Sequence, residues 1–272
     1  MLPFNTYSEA RDYFGIDMPR QFIDQLFVID NYCRANNLDT LSCLFDVFGI
    51  LRLEGNSARY QQTPVEFFPI GSTGSDGEHY GYIMHTDGEP DYPSAELCPM
   101  DSDGAVVIGH DTQSLLQNLL CDESAIDSYK LLIEKLGLRP VTIHRKRYDG
   151  ENKTLRIAVE PKQGWRFVQT ADGAGVFAEE KYFNEYHEEY DTLKRMSGIE
   201  PYEYLAAEMK EFGYYGSQLY YLKQLYWFEW TNYTLAVKCL TEMQDAYQHL
   251  SRPHLVATTK WLIDTFSSRY GV

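Results

Sequence analysis

The stretch from Gly71 to Met84, GSTGSDGEHYGYIM, places four glycines within eleven residues, with Asp76, Glu78, His79 and two tyrosines among and behind them. Such glycines can open backbone N–H groups onto a phosphate, or supply the positive φ that a turn requires. A phosphate loop leads into a helix N-terminus and usually carries a Lys. Here the glycines sit between two apparent strands, VEFFPI and HYGYIM, and no Lys or Arg occurs from Gln61 to Ser114. A phosphate would also meet Asp76 and Glu78. The stretch reads as strand, turn, strand, and no cofactor is expected.

Other groupings carry the residue types of reactive sites without their spacing. His79, His85 and His110 with Asp76, Asp87 and Asp111 have the chemistry of a metal or acid–base cluster, but no spacing among them matches a ligand motif. Asp101-Ser102-Asp103-Gly104 begins like a calcium loop, without the third acidic position or the distal Glu. No Ser sits in a GxSxG, and no Cys has a nearby His. The sequence therefore predicts no catalytic residue and no metal. Cys33, Cys43, Cys98, Cys121 and Cys239 are odd in number and form no CxxC pair, which reads as free thiols.

The segment EHYGYIMHTDGEPDY is both acidic and aromatic. Tyrosine offers large contact area at low entropic cost, and carboxylates around it suit a basic partner. Asp76, Glu78, His79, Tyr80, Tyr82, Asp87, Glu89 and Asp91 are the candidate partner-binding residues; the alternative is a solvated hairpin whose tyrosines pack inward. The run YYLKQLYWFEWTNY from Tyr220 reads as helix–helix core, with a binding groove as the alternative.

The elements that must position these residues follow from periodicity. Met18 to Ala35 is helical, with Phe22, Leu26 and Ile29 on one face after Pro19. Leu41 to Leu53 is dense in apolar residues and leaves helix and strand open. Val65–Ile70, His79–His85 and Ala105–Ile108 read as strands, and Asp111–Leu120 as a helix. After Glu123 come a helix from Ile126 to Leu136 and three strands, Val141–Arg147, Leu155–Val159 and Trp165–Gln169. The turns at Asp149-Gly150 and Asp172-Gly173 make these a meander. From Pro201 the chain reads as helices alone. The expected division is residues 1–122 and 123–272, with the meander at about 141–169 and the helical bundle at about 201–268.

The chain has 272 residues, 44% hydrophobic and 15% aromatic, which argues against disorder. Its 40 acidic and 24 basic residues give a net charge of −16, a field that repels nucleic acid and anionic membrane. The N-terminus lacks a basic start and an apolar run, and no stretch of about 18 apolar residues occurs. A cytoplasmic protein without nucleic-acid or membrane partners is expected.

The segments TPVEFFPIGSTGSDGEHYGYIMH and DYPSAELCPMDSDGAVVIGHDTQSLLQNLL resemble the SUKH superfamily, which includes bacterial immunity proteins and fungal regulators of cell-wall glucan synthesis. The features carrying the resemblance are the glycine turn, the CPMDSDG loop, the strand feeding the helix at Ile108 to Leu120, and Met18-Pro19 before an apolar helix. It covers roughly residues 17–121. The resemblance implies an α+β fold with a twisted, mainly antiparallel sheet flanked by helices, and no catalytic constellation. It also implies a protein that binds and neutralises a toxin, many such toxins being nucleases. The alternative is a regulatory or scaffolding protein that binds through its C-terminal helices.

Overall fold

The computed structural model describes residues 1–75, 77–99, 104–120, 127–139, 162–184 and 200–271. The fold is α+β, in agreement with the sequence. Two compact units are present. One is Met1–Tyr60, Phe67–Met84 and Gly88–Arg156; the other is Gln61–Glu66, His85–Asp87 and Ile157–Val272.

In the first unit, helix α1 (Tyr7–Phe14) starts where the Thr6 hydroxyl accepts from the Glu9 amide, and stops at Gly15 in the left-handed region. Helix α2 (Arg20–Ala35) follows Pro19 and buries Phe22, Leu26, Ile29 and Cys33 along one stripe. Helix α3 (Thr40–Phe48) resolves the dense apolar stretch. Asp39 caps its start by accepting from the Ser42 amide at 2.8 Å, and Gly49 ends it.

Five strands then pair in chain order, each antiparallel to the next: β1 (Arg52–Leu53), β2 (Phe67–Ser72), β3 (His79–Ile83), β4 (Ser94–Leu97) and β5 (Val106–Gly109). The pairing expected across the glycine turn is present, with β2 running two residues later than Val65–Ile70. Its register shifts between Pro69 and Gly71, as suits a proline that has no N–H to give the ladder. Strands β1 and β4 are not visible in the sequence, because one has two residues and the other mixes Ser and Glu into four. Gly81 lies where a Cβ would sit 2.5 Å from the Phe68 carbonyl oxygen, so backbone and the Phe67 ring close over it.

Helix α4 (Thr112–Leu119) opens with a capping box between Asp111 and Ser114. Helix α5 (Lys130–Lys135), expected in the second half of the chain, belongs to the first unit. There Gln113 Nε2 donates to Leu136 O at 3.2 Å, and Gln117 exchanges two hydrogen bonds with the Arg139 backbone.

The second unit contains β6 (Trp165–Val168) paired antiparallel with β7 (Val176–Glu179). Two of the three expected meander strands, Val141–Arg147 and Leu155–Val159, lie outside the described residues. Trp165–Gln169 is confirmed, and its described partner is β7, beyond the Asp172-Gly173 turn. Four helices follow: α6 (Glu200–Glu211), α7 (Tyr215–Glu229), α8 (Tyr233–His249) and α9 (Pro253–Tyr270). Helix α7 is buried on every face from Gly216 to Trp227, so most of the aromatic run from Tyr220 is core. Among the described residues no helix is long and apolar enough to cross a membrane.

Candidate functional site

The glycine turn connects β2 to β3 and leads into no helix. Gly74 and Gly77 hold φ of 79° and 76°, conformations that side chains resist. Thr73 Oγ1 donates to Glu78 Oε2 at 2.8 Å and accepts from the Ser75 amide, so the carboxylate of Glu78 ties the turn together. The glycines serve the turn.

The candidate partner-binding residues separate into different roles. Asp76 lies outside the described residues. Tyr80 and Tyr82 are fully buried and His79 nearly so, which leaves them no surface for a partner. The period of the strand explains this: β3 is covered on both faces, as its unbroken burial shows. Tyr82 meets Phe22 of α2 edge to face at 5.6 Å, and its hydroxyl pairs with Thr112 Oγ1 at 2.8 Å.

His79 Nδ1 stands 2.8 Å from Glu54 Oε2, whose other oxygen accepts from Ser72 Oγ at 2.8 Å. Burial, opposed by Glu54, holds the His79 pKa below its ordinary value. A His–carboxylate pair has the composition of an acid–base dyad; here His79 is buried and Glu54 is half-buried.

Asp91 is structural. Its carboxylate accepts from Thr112 N at 2.8 Å and Thr112 Oγ1 at 2.9 Å, fixing the first turn of α4. Glu89 is half-buried beside it in sequence. Asp87 is exposed, belongs to the second unit, and forms an ion pair with His254. Of the described candidates in the first unit, His79, Tyr80 and Tyr82 are buried and Asp91 is held inside the fold by Thr112.

The second unit holds an ionic cluster for which the sequence offers no motif. Lys223 of α7 bonds Glu66 and lies 3.2 Å from Asp172 Oδ2. Tyr247 of α8 donates to Glu66 Oε1 at 2.6 Å, while Thr170 Oγ1 and the Ala174 amide donate to Asp172 Oδ1 at 2.5 and 3.1 Å. Against the effect of burial, the Lys223 charge holds Glu66 below the usual carboxylate range. Burial, and after it the Glu66 charge, push Asp172 the other way, because one cation compensates only one of two anions. His85 Nε2 lies 3.0 Å from Ala174 O; the carbonyl only accepts, so the imidazole is the donor. Burial drives the His85 pKa to about 3, so the ring is neutral. Lys223, Glu66, Asp172 and His85 are all at most 6% exposed.

One surface combines the properties expected of a docking face. Leu38, Leu41 and Phe45, spaced 3 and 4 residues apart, are 41%, 38% and 46% exposed along α3 and its approach. Asp39 and Asp46 lie in the same stretch, the first capping α3 and the second accepting from Tyr129 Oη at 2.9 Å. The sequence did mark this stretch as apolar, but apolar density alone does not say which side chains stay in water.

Among the described residues, no three His, Cys, Asp or Glu side chains converge as a metal site. Cys33, Cys43 and Cys239 are buried free thiols, and Cys98 is half-buried. No family model and no curated protein matches this chain.

Proposed function

We propose that this chain is a non-enzymatic binding protein that docks a basic protein partner on the exposed face of α3. The observation that carries the reading is the strip of Leu38, Leu41 and Phe45 beside Asp39 and Asp46. Apolar side chains at the centre of a contact supply affinity, and carboxylates around them select a basic surface. The net charge of −16 steers the same class of partner from a distance. The likeness of the glycine turn and the strand-to-helix segment to the SUKH superfamily supports reading the partner as a toxin domain and the chain as an immunity protein. Cytoplasmic placement accompanies that reading.

The experiment uses the chain as bait in its native host, followed by mass spectrometry, and then the purified pair. The proposal requires a basic partner whose association slows with added salt. Capture of neutral or acidic partners alone, or association indifferent to salt, overturns it.

A second reading rests on Tyr204 of α6 and Phe212 just after its end, which are 69% and 64% exposed. Large aromatics left in water along a helix and at its end favour a regulatory or scaffolding contact through the C-terminal helices. Loss of partner binding on Tyr204→Ser and Phe212→Ser, with α3 variants unaffected, selects this reading over the first.

A further inference from the structure

The outward face of α6 carries aromatic rings where a surface helix usually carries charge. Leu205, Ala206 and Met209 are buried and form its inward stripe. Tyr204, Ala207, Glu208, Glu211 and Phe212 fall on the other face, 3 and 4 residues apart. Phe212 continues the helical path just past the end of α6, since its amide donates to Glu208 O at 3.2 Å. Tyr204 and Phe212 thus stand two turns apart, about 12 Å along the axis. Phe212 also meets the half-buried Tyr214 ring at 6.5 Å, which widens the aromatic end of this face.

The charge of this face is negative and uncompensated. Glu211 is exposed and Glu208 half-buried, and neither forms an ion pair among the described residues. Lys210, the single basic residue of α6, is turned to α8, where Glu242 and Asp245 hold it at 2.6 and 3.0 Å. Glu203 is likewise held by Lys238 of α8 at 3.0 Å. A second copy of this chain seated here would set Glu208 and Glu211 against their own like charges, and an acidic partner would meet the same repulsion.

We infer that this face docks a basic amphipathic helix of a protein partner, which rests on the second reading above and names the chemistry of its partner. Tyr204, Glu208 and Phe212 form one i, i+4 ridge, and such a ridge packs into the groove of a second helix. Apolar side chains of the partner pack on the two rings, whose faces also accept a Lys or Arg. Lys or Arg one turn away meets Glu208 and Glu211. The rings supply affinity, and the carboxylates reject acidic helices.

The probe is an amphipathic peptide of about 14 Leu and Lys residues, long enough for about four helical turns and carrying a benzophenone. A Leu/Glu peptide of the same pattern is its control. Photo-cross-linking to the full chain, mapped by mass spectrometry, reads where each peptide sits, and the dose dependence reads affinity. The expected result is a saturable cross-link of the Leu/Lys peptide on α6, kept in Leu41→Gln/Phe45→Gln and absent with the Leu/Glu peptide. Tyr204→Ser/Phe212→Ser should weaken it by about tenfold or more, and Glu208→Gln/Glu211→Gln by about threefold or more. None of these four side chains is buried, so both variants should melt like the wild type. Cross-links absent from α6, or equal for the Leu/Glu peptide, overturn the proposal. Loss in the aromatic variant with none in the carboxylate variant also overturns it, while the second reading stands. A cross-link indifferent to both variants overturns the two together.

Discussion

Tyr247 donates its hydroxyl to Glu66 Oε1 at 2.6 Å, while the other oxygen of the same carboxylate faces Lys223. The carboxylate thus has a neutral donor on one oxygen and a cation on the other, away from water. Removing one partner of such a pair is costlier than never having built it. Lys223→Met should destabilise the protein by about 3–5 kcal/mol, because Glu66 and Asp172 are left buried without a cation. Tyr247→Phe should cost about 2 kcal/mol. Adding Glu66→Gln to Lys223→Met should recover part of the loss. Urea denaturation measures all three, and a Lys223→Met protein as stable as the wild type would show that the cluster is not ionised.

His85 supplies the pH dependence. Burial lowers its pKa from 6.5 to about 3. The unfolded chain therefore takes up a proton below about pH 6.5, whereas the folded chain does not until about pH 3. Stability is lost as pH falls through that window, by about 1.4 kcal/mol per pH unit once the unfolded imidazole is fully charged. His85→Gln keeps a donor for Ala174 O and has no proton to bind. Its stability should fall less steeply than that of the wild type between pH 6 and pH 4, by about one proton's worth of slope. Parallel curves for the two proteins would mean that His85 is charged or open to water in the fold.

Asp91 corrects an expectation about the acidic segment. In the sequence Asp91 is one of the candidate partner-binding carboxylates of that segment. Asp91 instead holds Thr112 through two bonds, and Thr112 in turn meets the buried Tyr82 hydroxyl. Asp91→Ala should cost about 1–2 kcal/mol through loss of these bonds at the start of α4. Glu89→Gln, two positions away, keeps an acceptor oxygen at its site and should stay within about 0.5 kcal/mol. Thermal melting compares the two, and equal melting temperatures would return Asp91 to the surface.

What was legible in the sequence follows from range. The strand–turn–strand around Gly71–Gly77, the cap at Asp111 and the Pro253 start of α9 depend on residues within a few positions of one another, and local chemistry encodes them. The inward facing of both Tyr80 and Tyr82 was open, because alternation says which residues share a face but not whether both faces are covered. The Glu66–Lys223 pair spans 157 positions, and no local pattern announces it. Strand β7 escaped notice because the Asp172-Gly173 signal looks like an ending. The structure makes it the connection between paired strands, with Asp172 turned inward to Lys223.

The α3 face gives the most direct test of the proposed function. Leu41 and Phe45 are exposed neighbours one helical turn apart, so replacing both by Gln removes apolar contact area without opening a cavity. Stability should stay within about 0.5 kcal/mol per site. Affinity for the basic partner should fall by at least about tenfold, mostly through faster dissociation, as expected when anchors at the centre of a contact are cut back. Asp46→Asn should act on the other rate. It removes a charge while leaving an acceptor for Tyr129, so association should slow modestly and lose part of its salt dependence, with dissociation little changed. Surface-plasmon kinetics at two salt concentrations separates these effects. If the Leu41→Gln/Phe45→Gln protein dissociates like the wild type and Asp46→Asn keeps the full salt slope, the partner docks elsewhere, and Tyr204 and Phe212, on α6 and just after it, become the residues to change.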